Sequence, residues 1–404
     1  MRQNFIYFIA IIFVLEFYIF NALRSIITNP LLRWIYVSIT ALIYLLIIYA
    51  SFNLNQSNNS TARVQLVVTL FLAILLPKVL TAAVFFIDDI VRIFQLAFSY
   101  FTNKEQAHFP ARRTFLTYLG LGLAGVFAMT FLYGVAIGKY KHKVRTVTLK
   151  LKNLPSELKG IKIVQLSDFH AGSFLNPDRL RETFEKVNSL NPDVVVFTGD
   201  MVNNTADEFL PFKNHFSSLK AKYGKFAVLG NHDYGHYYQW ESKAEEENNL
   251  NSLIENIEDT GFKMLRNESH SITLGENKLH IIGVENWGEK PFPQYGDIDK
   301  ASKNIPANEI KVLLSHDPTY FDQKIKNHPA NIQLTLSGHT HGMQFGIDLK
   351  NLKWSPVQYR YKKWIDIYEE KNRFLYVNRG FGIIGYPGRV GIDPEITLIE
   401  LQQG

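Results

Sequence analysis

The chain contains no cysteine. That excludes disulfides and thiolate metal sites, but it does not fix a compartment, because a cysteine-free protein survives in either redox state. The first apolar stretch lacks a clear small-residue cleavage site and is long and aromatic for a removable signal peptide. Also missing is a basic track with interleaved aromatics; charges of both signs mix through the second half, which argues against a nuclease and against a nucleic-acid partner. What is present is a split. The mean hydropathy of −0.05 averages a strongly apolar segment, up to about Gly138, with a remainder that reads as a soluble domain long enough to bury a core. The net charge of +6 suits anionic partners such as phosphates or anionic lipids, although Lys and Arg flanking membrane segments account for much of it.

Residues 1–138 read as a transmembrane region of four helices, with spans at 5–23, 31–52, 64–87 and 115–137. Each is long enough to cross a hydrocarbon core of roughly 30 Å. Ile90–Phe101 either lies in the interface or extends the third helix. Glu16 and Lys78 fall inside spans, the latter beside a kink expected at Pro77. Intramembrane charge points to function; mutual pairing or snorkelling to the headgroups is the plainer reading. Gly120-Leu121-Gly122-Leu123-Ala124-Gly125 matches a dinucleotide fingerprint letter for letter. It lacks the preceding strand and the acidic residue downstream, so close helix contact explains it better.

Lys and Arg divide evenly between the two sides of the membrane, so their count does not orient the chain. Ala111-Arg112-Arg113-Thr114-Phe115-Leu116 resembles a bacterial twin-arginine export signal, or is an ordinary helix-end anchor. With the uncharged loop Asn53–Thr61, it favours a multi-pass protein of the bacterial cytoplasmic membrane with its second half outside the cytoplasm. The basic cluster Lys139–Arg145 argues the opposite.

Residues 139–148 read as a linker and 149–404 as a second domain. Strands are expected at Ile161–Leu166, Val194–Thr198, Phe226–Leu229, Leu279–Val284, Lys311–Leu314, Gln333–Leu336, Phe374–Val377 and Ile396–Leu401. Helices are expected at Pro177–Leu190, Asp207–Ala221 and Trp240–Asp259, the last ending before Gly261. Short Val/Ile/Leu runs with helical patterns between them imply an α/β fold, and the sparse helices late in the chain imply a mixed or second sheet.

Five strand ends are followed by metal-ligand types: Asp168-Phe169-His170, Gly199-Asp200, Gly230-Asn231-His232-Asp233, Ser315-His316-Asp317 and Gly338-His339-Thr340-His341-Gly342. Singly, each is a turn or a solvated loop. Together they supply carboxylate, imidazole and amide groups suited to borderline divalent ions, at the strand ends where α/β folds collect ligands. With the closing Asn378-Arg379-Gly380, Pro387-x-Arg389 and Pro394-Glu395-Ile396-Thr397, they make residues Leu149 to Leu401 resemble the calcineurin-like metallophosphoesterases, in particular their membrane-linked bacterial phosphodiesterases.

The resemblance implies a two-sheet sandwich flanked by helices. It implies two divalent metal ions, manganese, iron or zinc, held by Asp168, His170, Asp200 and His341 on one side and by Asn231, His316 and His339 on the other, with Asp200 bridging. It further implies attack on phosphorus by a metal-bridging hydroxide, with His232 as general acid. Many relatives carry an acidic residue where this chain has Asn203, to orient that histidine; Asn203 or Asp233 is the candidate for the task here. The expected activity is hydrolysis of a phosphodiester, phosphomonoester or pyrophosphate bond in a phosphorylated small molecule or lipid-linked substrate, with membrane lipids as neighbours. A UDP-diacylglucosamine-type pyrophosphatase with a cytoplasmic site is the alternative. A metal-free scaffold would lose ligands, and this chain keeps them all. Tyr234, His236, Tyr237, Tyr238, Trp240 and Trp287 read either as a substrate wall or as a partly buried aromatic loop. Arg379 and Arg389 read either as phosphate contacts or as partners of local carboxylates.

Overall fold

A computed structural model describes residues 2–24, 26–53, 61–102 and 110–404. The loop read at Asn53–Thr61 lies largely outside these residues. Two compact units emerge, Met1–Val135 and Ala136–Gly404.

The first unit is helical. Its elements are α1 (Arg2–Leu23), α2 (Pro30–Asn53), α3 (Thr61–Leu70), α4 (Leu76–Thr102) and α5 (Pro110–Ala136). A π-helical turn, Phe71–Leu75, joins α3 to α4, so Thr61–Thr102 is one continuous apolar helix of 42 residues. Ile90–Phe101 therefore extends the third helix. The π turn ends two residues before Pro77, whose missing N–H interrupts the helical ladder; the intervening Leu76 N–H bonds five residues back to the Phe71 carbonyl. Pro30–Tyr49, Thr61–Thr102 and Thr114–Tyr140 are long and apolar enough to cross a membrane, while the apolar part of α1 is the shorter Ala10–Leu23.

Within this unit Lys78 and Glu16 form an ion pair at 2.6 Å. Tyr36 donates to the same carboxylate at 2.9 Å, Tyr44 donates to it as well, and Lys78 also reaches the Thr40 hydroxyl. The plainer reading of the two charges thus matches the geometry. Asp88 is buried and binds Arg112 at 2.6 Å and Arg92 at 3.1 Å, which makes Arg112 a helix-to-helix tie. Gly120 lets Thr81 come close, since a Cβ there would meet the Thr81 methyl at 3.1 Å; Gly122 and Gly125 face open space.

The second unit is a sandwich of two six-stranded mixed sheets. Its strands are β1 (Lys143–Leu151), β2 (Lys162–Leu166), β3 (Val194–Phe197), β4 (Lys225–Ala227), β5 (Phe262–Met264), β6 (Glu268–Leu274), β7 (Asn277–Gly283), β8 (Ile310–Leu314), β9 (Leu334–Ser337), β10 (Ile347–Leu349), β11 (Leu352–Trp354), β12 (Asp366–Glu370), β13 (Arg373–Val377) and β14 (Glu395–Gln403). The sheet orders are β1-β14-β2-β3-β4-β5 and β12-β13-β9-β8-β7-β6, with β10–β11 a separate hairpin. β2 through β5 run parallel, as do β7, β8, β9 and β13.

The core lies between the sheets, where Ile163, Val194, Val196 and Phe226 face Ile281, Val312, Leu314 and Leu336. The outer face of the first sheet packs on a phenylalanine-rich layer, Phe184, Phe209, Phe212 and Phe216, carried by the helical segments after β2 and β3. The second sheet packs on Tyr320, Phe321 and Ile325.

Three sequence expectations differ. Residues 143–148, read as part of a linker, begin β1, an edge strand whose charged alternation hides its apolar positions. Asp207–Ala221 is not one helix: Pro211 holds Ala206–Phe212 in a 3-10 turn, followed by only Lys213–Ser217 as α-helix. The helix expected from Trp240 starts at Lys243, because the Ser242 side chain caps it by accepting the Glu245 N–H.

Candidate metal centre

The parallel strands β2, β3 and β4 of one sheet and β8 and β9 of the other end in loops that meet across the sandwich, and all seven expected ligands lie on them. Six gather into two buried triads, Asp168/His170/His341 and Asp200/His316/His339. In the first, the His170 and His341 Nε2 atoms stand 3.0 Å apart, and His341 Nε2 lies 3.2 Å from Asp168 Oδ1. In the second, His316 Nε2 lies 3.1 Å from Asp200 Oδ2 and 3.2 Å from His339 Nδ1. Asp200 Oδ2 is also 3.5 Å from His170 Nε2, so one carboxylate oxygen touches both groups. Asn231 sits on the adjacent loop with its Oδ1 buried and unpartnered, while its amide donates to the Tyr237 hydroxyl.

The backbone is bent to make this possible. Asp168, His170, Asp200, His339 and His341 all adopt positive φ, between 50° and 70°. Non-glycine residues rarely do so, and such strain concentrates at functional sites. Gly230 leaves room for the Asp200 carboxylate, since a Cβ there would lie 2.2 Å from Oδ1. Gly338 does the same for Ser167 and Asp168.

The electrostatics test whether cations fit. His316 donates Nδ1–H to the Thr198 carbonyl at 2.8 Å, which aims Nε2 at Asp200. Burial opposes a charge on this ring, yet the Asp200 carboxylate overcomes burial and lifts it to about 10. Burial would raise Asp200 and Asp168, but neighbouring imidazoles, His316 for Asp200 and His341 for Asp168, hold both below the usual carboxylate range. Burial holds His170 and His339 below the ordinary imidazole range, which favours the uncharged form that ligates metals. The two buried carboxylates therefore draw positive charge into the cluster, a demand that a proton on His316 meets for Asp200. Divalent cations answer that demand, and the carboxylate, imidazole and amide donor set suits them.

His232 stands beside the first triad, its ring 5.0 Å from that of His170, and its N–H donates to Asp200 Oδ1. Its Nδ1–H donates to an Asn203 oxygen at 2.8 Å, and that oxygen is the main-chain carbonyl. The Asn203 side chain turns away to Ser173. Asp233 does not reach His232 either. Its carboxylate accepts the N–H groups of Asp200, Met201, Val202 and Gly230, clamping the two loops together. Burial and the Asp200 charge push Asp233 up to about 7 against those four donors.

Arg379 is buried against Asp348, Asp366 and Glu395, and Arg389 against the carbonyls of Gly380 and Gly382. Arg379 thus pairs with local carboxylates, while Arg389 also lies 3.4 Å from His341 Nδ1. The aromatic loop divides: Tyr234 is buried, Trp240 is tied to the Gly235 carbonyl, and Tyr237 stands open beside Asn231 and His232. Trp287 packs on Tyr320. Sequence reasoning missed Tyr361, whose hydroxyl lies 2.7 Å from His339 Nε2, and Phe292, whose ring stands edge-on to His339. Neither adjoins a ligand cluster in the chain.

Two family profiles match. Residues 1–139 match "Probable Calcineurin-like phosphoesterase, transmembrane domain" and residues 161–343 match "Calcineurin-like phosphoesterase". An uncharacterized metallophosphoesterase of Helicobacter pylori (strain J99) is 30% identical over 334 residues, covering 80% of this chain and 82% of the relative. A zebrafish transmembrane protein with metallophosphoesterase domain is 29% identical over 292 residues; the match covers 71% of this chain and only 63% of that longer protein. UDP-2,3-diacylglucosamine pyrophosphatase LpxG of Chlamydia trachomatis is 28% identical over 277 residues, covering 57% of this chain and 81% of LpxG.

Proposed function

The chain belongs to the calcineurin-like metallophosphoesterases, and we propose that it is a membrane-anchored, dinuclear-metal hydrolase of phosphate ester or anhydride bonds in a lipid-linked or envelope substrate. One observation supports the dinuclear reading above the rest: Asp200 Oδ2 is shared between the two triads, 3.1 Å from His316 and 3.5 Å from His170. Asp168, His170 and His341 are the proposed ligands of one ion, and Asn231, His316 and His339 of the other, with Asp200 common to both. Two divalent ions held there supply activation of a water and neutralisation of the phosphoryl oxygens. The residues supply the rest. The Asn203 carbonyl fixes the His232 tautomer, so the ring can carry its second proton on Nε2 and deliver it to a leaving oxygen. Tyr237 packs beside that proton donor, its ring 4.5 Å from the His232 ring.

Purified full-length chain in detergent should contain two divalent ions. Chelation should abolish its hydrolysis of a phosphodiester and pyrophosphate panel, and manganese, iron or zinc should restore it. A chain that binds no such metal and cleaves nothing on the panel ends this reading.

The relationship to LpxG favours a second substrate reading, the pyrophosphate of a nucleotide-linked acylated sugar, with the site in the cytoplasm. The Arg112-Arg113 pair at the start of α5 favours an extracytoplasmic site. C-terminal fusions separate the two: alkaline phosphatase activity supports the envelope role, and fluorescence of a cytosolic reporter supports the LpxG-like one.

A further inference from the structure

We propose that the β10–β11 hairpin seats on an anionic lipid surface and holds the metal centre at the bilayer interface. Its register pairs Ile347 with Trp354, Asp348 with Lys353 and Leu349 with Leu352. Opposed residues share a face and faces alternate along a strand, so Ile347, Leu349, Leu352 and Trp354 form one side and Asp348 and Lys353 the other. A hairpin on a soluble domain turns its apolar side inward. This hairpin does the reverse.

Asp348 is the inward residue. Its side chain is only 4% exposed and binds the fully buried Arg379 at 3.0 Å and also Arg145. That ion cluster locks the register, because a one-residue slip would be needed to turn the apolar side in. Leu349 and Leu352 are left 62% and 53% exposed.

The surroundings identify what covers them. Met343 and Tyr359 are exposed nearby in the chain, and Trp354 donates its indole N–H to the Tyr359 hydroxyl at 3.4 Å. Trp and Tyr rings that present both an apolar body and a polar tip are characteristic of membrane interfaces. Lys350 at the hairpin tip and Lys362 add exposed positive charge, and Arg360 beside them is exposed while pairing with Glu289 at 3.4 Å. Anionic headgroups attract such charges at the membrane surface. An apolar face rimmed by lysines therefore fits an anionic bilayer better than a neutral protein groove. The apolar helical unit keeps a membrane within this chain's reach.

The hairpin is also coupled to the metal centre. Only Gly342–Gly346 separate it from His341, and Ser355 donates to the Gly342 carbonyl at 2.8 Å. Lipid seating would thus present headgroup-level phosphates to the ligand-bearing loop. That last step rests on the hydrolase reading; the seating itself does not.

The absence of cysteine makes the test direct. Full-length Leu352→Cys carries an environment-sensitive fluorophore and is reconstituted into phosphatidylcholine vesicles with or without phosphatidylglycerol. Glu276→Cys, on the turn at the far edge of the second sheet, is the control. In vesicles with phosphatidylglycerol, the probe at 352 should shift to the blue. Lipids with a nitroxide high on the acyl chain should quench it at least about twofold, leaving the control unquenched. Lys350→Glu with Arg360→Glu should remove that quenching. A water-like, unquenched probe overturns the proposal. So does a blue shift without quenching, which would mean that a protein surface covers the hairpin. Equal quenching in both vesicles overturns its anionic part. No substrate enters the measurement, so failure of the hydrolase reading leaves the result intact.

Discussion

The two units bury charge in opposite ways. In the helical unit Glu16 meets Lys78 and two tyrosine hydroxyls, so each charged group has a partner of complementary kind. In the catalytic unit the two triads bring carboxylate and imidazole ligand groups together, and Asn231 Oδ1 has no partner among the described residues. The first network is complete and reads as structure. The second crowds ligand groups together around an unsatisfied amide oxygen and reads as a receptor for cations. Buried charge alone therefore does not mark a functional site; an imbalance between donors and acceptors does.

The sharpest cut is at Asp200, where the two triads meet. Asp200→Asn should lose both metals by elemental analysis and lower phosphodiester hydrolysis by on the order of 10³-fold or more. Retained metal and activity would erase the contrast between the units. Next is His232→Ala, which should leave metal content intact and slow alkyl phosphodiesters by about 10²-fold. Nitrophenyl esters, with better leaving groups, should suffer far less; equal losses for both would remove the acid role. In the closed network, Glu16→Gln should leave Lys78 without its counter-charge and cost about 3 kcal/mol. Thermal unfolding in detergent reads that loss, and adding Lys78→Met should recover much of it. A fall in activity at unchanged stability would instead make the pair functional.

The mildest test uses a complete network inside the catalytic unit. His142 is buried, with Nε2 on the Phe381 carbonyl and Nδ1 beside the Thr183 hydroxyl. Burial chiefly drives it down to about 3, from an ordinary value of 6.5. Above pH 6.5 both folded and unfolded chains keep this ring neutral, and it costs nothing. Between pH 6.5 and 3 only the unfolded chain takes the proton, so stability should fall by about 1.4 kcal/mol per pH unit as the solution is acidified. Melting curves of His142→Phe against wild type should show a shallower slope in that window.

Much of this contrast could be read from sequence. Five ligand loops, each after a short Val/Ile/Leu run, predicted the strands and the six residues that gather into the two triads, with Asn231 on an adjacent loop. Glycine at 230 and 338 marked where side chains could not fit. What escaped depends on three dimensions. The partner of His232 is a main-chain carbonyl, and every residue has one, so Asn203 and Asp233 were weighed by side-chain type alone. Tyr361 reaches His339 from a segment with no ligand motif of its own. β1 escaped because edge strands tolerate charge, and its partner β14 is some 250 residues away in the chain, far beyond any local pattern.

That partnership constrains the order of synthesis. β14 lies between β1 and β2, so β1 has no hydrogen-bonding neighbour until residues 395–403 have left the ribosome. The helices can enter a bilayer while translation continues, whereas the first sheet closes only after its last strand is made. Any truncation that removes β14 should therefore release β1, the strand that leads in from the helical unit, and not merely fray a terminus.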